Sequence, residues 1–345
     1  MKKGFTAIAS MAAAALLLTA CGGGSDAPTD VATDGATDAA TDAATDTATG
    51  DSYSVGILQL VDHASLDQAN QGFVQAFEDA GIDVSFDQKN ANGDQTVAST
   101  IAGTFAAQDL DLVLAIATPA AQAAAQAITN IPVLITAVTD PVDAALVDSL
   151  DAPGGNVSGT TDANPVEEQL QLIKDIVPGA TTIGIPYSPG EANSLVQVQW
   201  AKDAAESLGL TIVESPAVTT GDVQQAVEAL GDVDAIYVPT DNVVVTGLES
   251  VLQVGEAKQI PVFGAEGDSV SRGAIATFGL SYFQLGYQTG EMAIRILTEG
   301  ADPATMPVET QNDLLLYLNL GAAERMGVEI PAEILEQAAP ENITE

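Results

Sequence analysis

The sequence predicts an α/β fold of two doubly wound, Rossmann-like lobes with a ligand cleft between them. Three observations carry this. Short apolar runs alternate with segments of helical periodicity, the pattern of parallel strands joined by helices. The plan occurs twice, with landmarks recurring at a near-constant spacing of about 125 residues. A chain of 345 residues, 46% of them hydrophobic, is long enough for about two domains with their own cores.

In chain order, residues 1–20 are an export address rather than fold. Lys2 and Lys3 precede an apolar stretch, Phe5 to Leu18, too short for a permanent membrane span. It ends in Leu18-Thr19-Ala20-Cys21, which resembles the bacterial lipobox and implies cleavage before Cys21 and acylation of that Cys. The alternative is a general secretory signal with an incidental Cys. Residues 21–51 are then a tether. Thr-Asp recurs every four residues from Thr29-Asp30 to Thr45-Asp46, with only Ala, Val and Gly beside it. Such a segment buries nothing and repels itself, so it is expected to be disordered and extended.

From Tyr53 the pattern changes. Val55-Gly56-Ile57-Leu58 reads as a strand. Leu66, Phe73, Val74 and Phe77 mark one helical face, closed by Gly81. A strand at Val84 to Phe86, a helix over 94–107, a strand at Leu112 to Ile116, a helix over 119–128 and a strand at Val133 to Thr136 follow. In the second half, Ile183-Gly184-Ile185 answers Val55-Gly56-Ile57. Asp234 to Val238 answers Asp111 to Ala115, and Ile260-Pro261-Val262-Phe263 answers Ile131-Pro132-Val133-Leu134. Periodic Leu285, Met292 and Ile296 mark a helix returning to the first lobe, and residues 340–345 read as frayed. The first lobe is expected over 52–159 plus 281–308, and the second over 160–280 plus 309–340.

Charge and composition exclude several functions. The chain carries 48 acidic and 9 basic residues, a net charge of −39, which repels phosphate backbones and argues against nucleic-acid binding. One His and one Cys cannot build a common zinc site, an internal disulfide or a well-supplied His-based triad. No GxxxxGK[ST], HExxH or GxSxG occurs, and the glycine cluster lies in the tether. Neither a metal, a cofactor nor a catalytic residue is therefore assigned, and the chain is not expected to be an enzyme.

Open parallel sheets bind ligands outside the carboxyl ends of their strands. The segments there supply the candidates: Gln59, His63 and Leu66 after the first strand, then Thr118, Pro119 and Ala120, then Thr139 and Asp140. The second lobe adds Tyr187, Glu191, Asn193 and Ser194, then Thr240, Asp241 and Asn242, then Glu266. Thr118-Pro119 opens a helix whose free N–H groups can hold a carboxylate, or be capped in the ordinary way. Asp241 and Glu266 can pair with an ammonium group; the plainer reading of Asp241 is a helix cap. His63 can face a ligand or pack under the first helix. Trp200 lies mid-helix and reads as packing, whereas Tyr187, Phe278 and Tyr282 are better placed to stack on a ring.

These residues resemble a known family, the ABC-transporter substrate-binding lipoproteins associated with tryptophan, tyrosine and phenylalanine uptake. The likeness runs over about residues 53–330. It rests on Val55-Gly56-Ile57-Leu58-Gln59 with His63 and Leu66-Asp67, on Ala115 to Gln122, and on Thr136-Ala137-Val138-Thr139-Asp140-Pro141. Pro153 to Val157, Glu191-Ala192-Asn193-Ser194, Tyr237 to Asn242 and Pro261 to Glu266 complete it. Pro186 departs from the pattern, where an apolar non-proline residue is expected. The resemblance implies a type I periplasmic-binding fold with several hinge strands, near Ser158–Asp162, Gly279–Tyr282 and Glu309–Asp313. It implies capture of a small zwitterion, often an aromatic amino acid, and delivery to an ABC permease driven by its ATPase. It also implies a protein exported and lipid-anchored to the outer face of the cytoplasmic membrane.

Other readings stay open at this point. The same fold serves sugars and nucleosides, although stacking aromatics and arginines are scarce here. A sensor working through a membrane partner has the same sequence features as a transport receptor. A surface hydrolase using Asp241 and Glu266 as a carboxylate pair is the reading from another class.

Overall fold

The computed structural model describes residues 52–311 and 314–345. The export address, the Cys21 lipidation site and the tether lie outside the described residues. Among the described residues, no helix is long and apolar enough to cross a membrane.

The first lobe is a parallel sheet with helices on its faces. Its elements are β1 (Tyr53–Gln59), α1 (Ala64–Ala80), β2 (Val84–Asn90), α2 (Gln95–Phe105), β3 (Leu112–Ile116), α3 (Thr118–Ala127), β4 (Val133–Val138) and β5 (Val157–Thr161). The inner strands β3 and β4 are buried along their whole length, as continuous apolar runs in a doubly covered sheet must be. The edge strand β2 alternates partly exposed polar residues with Phe86 and is covered less. α1 stops where the sequence places its stop: Gly81 takes a left-handed φ of 65°, which costs a glycine little.

The second lobe repeats the scheme. α4 (Val166–Ile176), β6 (Thr182–Tyr187), α5 (Ala192–Leu208), β7 (Thr211–Pro216), α6 (Val223–Ala229) and β8 (Ala235–Val238) come first. α7 (Asn242–Thr246), α8 (Leu248–Lys258), β9 (Val262–Gly264), α9 (Gly267–Arg272) and β10 (Ala276–Gly279) follow. The strand order is β7-β6-β8-β9, all parallel. Pro186 is accommodated inside β6, opposite Ser215.

The chain then returns. α10 (Tyr282–Glu299) packs on α1, and its Leu285, Met292 and Ile296 join the first lobe's core. Glycines permit the close approach of these two helices. A Cβ on Gly286 would lie 1.8 Å from the Ala69 carbonyl oxygen, and one on Gly72 would lie 2.0 Å from that of Phe283.

β11 (Glu309–Thr310) pairs with β5, so the first sheet reads β11-β5-β4-β3-β1-β2. The final elements are β12 (Leu315–Asn319), α11 (Leu320–Arg325), α12 (Ala332–Leu335) and β13 (Ile343–Thr344). β12 runs antiparallel to β10, and β13 runs parallel to β12.

Two expectations are corrected here. Residues 160–161 and 309–310 belong to the first sheet, because β5 and β11 hydrogen-bond to each other there. Residues 343–344 are not frayed: Ile343 and Thr344 pair with Leu318 and Asn319. Two cores result, one around β1, β3 and β4 with α1 and α10, the other around β6, β8 and β9 with α4 and α8.

Candidate functional site

The strand ends of both lobes lead into helices that open toward one small cavity. His63 precedes α1, Glu191 precedes α5, Asp241 caps α7, and Glu266 precedes α9. The cavity is lined by His63, Leu66, Ala137 and Thr139 from the first lobe. From the second come Asn193, Thr240, Asp241, Asn242, Val245 and Glu266. Asp162 and Tyr282, on the segments that cross between lobes, complete the wall. About 20 Å³ is open to a water-sized sphere, room for one water molecule.

Eight of the sequence candidates therefore share one wall: His63, Leu66, Thr139, Asn193, Thr240, Asp241, Asn242 and Glu266. The others sit around it with other partners. Gln59 donates to Asp67 Oδ1 at 2.6 Å and to the Val61 carbonyl at 3.0 Å, bracing the turn before α1. Thr118, Pro119 and Ala120 are buried in the first turn of α3, and the Thr118 hydroxyl has no hydrogen-bond partner. Asp140 accepts from the N–H groups of Val142 and Asp143, closing its own turn. Tyr187 and Phe278 pack against the second core instead of lining the cavity. Glu191 accepts from Asn193 Nδ2 at 3.1 Å and Asn242 Nδ2 at 2.6 Å, and so backs two lining residues. Ser194 is fully buried, and its hydroxyl accepts from Asn193 Nδ2 at 3.5 Å.

Sequence reasoning left Asp162, Ala137 and Val245 out of the site and took Tyr282 only as a stacking candidate. Tyr282 instead donates its hydroxyl hydrogen to Asp162 Oδ2 at 2.7 Å. The signal for Asp162 was its place beside a lobe crossing. For Ala137 it was nothing in the residue type; it holds a left-handed φ of 55°, as Ala117 before α3 holds one of 82°. Backbone strain of this kind persists where the surroundings enforce it and gathers at functional sites.

The wall is polar and acidic. No Lys or Arg lines it. Burial pushes Glu266 up to about 7, with Asp268 adding to the effect. Burial also raises Asp241 and Glu191, and Glu191 rises further because the Asp241 charge is close. Burial raises Asp162 against the opposing hydrogen bond from Tyr282. His63 is pushed down to about 4 by burial, opposed by its hydrogen bond with Asn242, and is neutral at ordinary pH. Four lining atoms lack any hydrogen-bond partner: His63 Nδ1, Asp162 Oδ1, Asn193 Oδ1 and Thr240 Oγ1. Native proteins seldom leave such atoms unpaired, so a cluster of them describes a place built to hydrogen-bond something else. No group of His, Cys, Asp and Glu among the described residues is arranged to hold a metal ion.

The chain matches known proteins over nearly all of this structure. The family model for ABC transporter substrate binding proteins covers residues 54–341. A tyrosine-binding protein of Clostridioides difficile is 42% identical over 271 residues, 77% of this chain and 78% of that one. The crystal structure of an ABC domain in complex with L-Trp, from Streptococcus pneumonia, is 35% identical. It superposes with a TM-score of 0.82 over 86% of this chain and all of that one. A ligand-free, open substrate-binding protein with adhesive properties, from Clostridium difficile, is 42% identical, yet its TM-score is 0.65 over 85% of this chain and 98% of that one. With a family model spanning both lobes and their crossings, the chain belongs to the ABC transporter substrate-binding proteins, a family of binders rather than enzymes.

Proposed function

We propose that this protein captures an aromatic amino acid in the cleft between its lobes and presents it to an ABC permease. The observation that carries the proposal is the cavity wall itself. Both lobes build it, it is buried, and it gathers four unpartnered polar atoms beside Leu66, Val245 and the Tyr282 ring. The similarity to a tyrosine-binding protein and to a complex with L-Trp supports the ligand class.

The mechanism follows from the elements. Helices starting at the cleft direct free N–H groups and positive dipole ends toward a carboxylate. The buried acidic groups accept from an ammonium group. Leu66, Val245 and Tyr282 cover a ring. A space of about 20 Å³ cannot admit such a ligand, so the lobes part for entry and close over it. The better superposition on the L-Trp complex than on the open relative supports this hinge, because the identities alone would rank the two the other way. Ligand contacts made on both lobes favour the closed form, and binding shifts the equilibrium toward it. Substrate-binding proteins of ABC transporters work outside the cytoplasm. Lipid anchoring through Cys21, with residues 21–51 as spacer, would hold this one beside its permease. A sugar or nucleoside ligand has less support, since Tyr282 and His63 are the only rings on the wall.

Thermal unfolding of the purified chain against the twenty amino acids, sugars and nucleosides tests the ligand class. A ligand at about 100 times its dissociation constant adds roughly 2.7 kcal/mol, which should raise Tm by about 5 °C. A shift confined to Tyr, Trp or Phe is expected. A shift with sugars alone would overturn the assignment.

A further inference from the structure

Hydrogen bonding separates the acidic groups around the cavity. Asp241 has both oxygens engaged by the chain: Oδ2 accepts from the N–H group of Ser188 and Oδ1 from that of Val244 at 2.9 Å. Glu266 has both oxygens engaged, one by the Ser65 hydroxyl and the other by that of Ser269 at 2.6 Å. Glu191 bonds to Asn193 and Asn242 and does not itself line the cavity. Asp162 differs from all three. It is 3% exposed, and its Oδ2 is fixed by Tyr282, but its Oδ1 has no partner. A buried carboxylate with one oxygen unpaired is costly, and a charged donor removes most of that cost. No cationic side chain lines the wall to supply it.

The position adds a second argument. Asp162 follows β5, where the chain leaves the first lobe, and Tyr282 opens α10, where it comes back. Their hydrogen bond ties two crossing segments at the cavity wall.

We propose that Asp162, oriented by Tyr282, is the subsite for the ammonium group of the ligand, and that Asp241 and Glu266 are structural. Asp241 caps α7 and ties it to β6. Glu266 joins the lobes through Ser65. The inference rests on the amino-acid reading of the cleft and goes further by naming the group that demands the amine. A site built around a hydrogen-bonding group rejects the analogue that lacks the partner, because the buried group is then left unpaired.

The test is calorimetric titration of the full chain with L-tyrosine and L-tryptophan, and with their amine-less counterparts 3-(4-hydroxyphenyl)propanoate and indole-3-propanoate. The wild-type chain should bind the amine-less acids at least about 100-fold more weakly. Asp162→Asn should lose about 100-fold for the amino acids and little for the amine-less acids, so that discrimination collapses. Asp241→Asn and Glu266→Gln should keep the discrimination even where they weaken both ligands together. Tyr282→Phe keeps the carboxylate and loosens it, and should cost about tenfold for the amino acids alone. It also serves if Asp162→Asn does not fold. Discrimination that survives in Asp162→Asn, or that collapses in Glu266→Gln instead, overturns the assignment. A wild-type chain that binds amino acids and amine-less acids equally overturns it too. A wild-type chain that binds none of the four overturns the amino-acid reading itself, and this inference with it.

Discussion

Ser65, in the first turn of α1, donates its hydroxyl hydrogen to the carboxylate of Glu266, 201 positions later in the other lobe. The bond is buried and joins the two lobes. Gln95 adds a second, exposed bridge to the Gly190 carbonyl at 3.1 Å. A hydrogen bond to a charged group contributes about 1.5–3 kcal/mol, so the buried bridge has the size needed to bias a hinge. Ser65→Ala should shift the chain toward the open form and weaken ligand binding by about tenfold, without loss of fold. Titration of the variant beside the wild type checks this; equal affinities would remove the bridge from the account.

The acidic wall predicts an unusual pH dependence. Glu266 and Glu191 have their carboxyls raised by burial, Glu266 to about 7, from an ordinary value of 4.5. Between those limits the folded chain holds protons that the unfolded chain has released. Stability therefore falls as pH rises through that window and is level above it. His63, pushed down to about 4, acts in the opposite sense and loses stability as pH falls from 6.5. Asp241 and Asp162 are raised in the same direction, and together the carboxyls outweigh one imidazole, so Tm should be higher near pH 5.5 than near pH 8. Surface repulsion at a net charge of −39 has the same sign but is screened by salt. The measurement belongs in about 1 M salt, where Glu266→Gln should flatten the profile. A Tm equal at both pH values would contradict the assignment of these buried acids.

Helix packing gives a contrast between two glycines. Gly286→Ala places a methyl group against the Ala69 carbonyl and must force α1 and α10 apart. Overpacking of this kind costs about 1–3 kcal/mol, and because His63 precedes α1 and Tyr282 opens α10, ligand affinity should fall as well. Gly103→Ala, inside α2 with nothing within 4 Å of the new atom, should stabilise by roughly 0.5–1 kcal/mol. Urea unfolding of both variants decides; a neutral Gly286→Ala would mean the helices are free to shift.

Anchoring is tested in cells. Each buried methylene of an acyl chain contributes about 0.8 kcal/mol to membrane attachment. Cys21→Ser should therefore move the protein from the membrane fraction to the soluble one. Retention at the membrane would show a different attachment.

The sequence made the strands legible because doubly covered strands such as Leu112 to Ile116 must be apolar throughout, and because Gly81 marks a helix end. The strand-end rule also pointed to Asp241 and Glu266. What stayed hidden depends on tertiary pairing. β11 and β13 are two residues each, too short for any periodicity, and exist only because β5 and β12 offer edges. Asp140 stands at a strand end, and that its Oδ1 also accepts from the N–H groups of its own turn is visible only in the structure. Asp162 looked like part of a hinge. Its free oxygen emerges only when Tyr282, 120 residues away, is placed against it.

The central claim is that an aromatic amino acid closes this cleft. The most direct measurement is energy transfer between dyes on the two lobes, at Val97→Cys in α2 and Val218→Cys after β7, both exposed, in a Cys21→Ser background. The account predicts a saturable rise in transfer with L-tyrosine or L-tryptophan, at one ligand per chain, and none with glucose. Transfer that ignores both amino acids, or that rises with glucose instead, would contradict it.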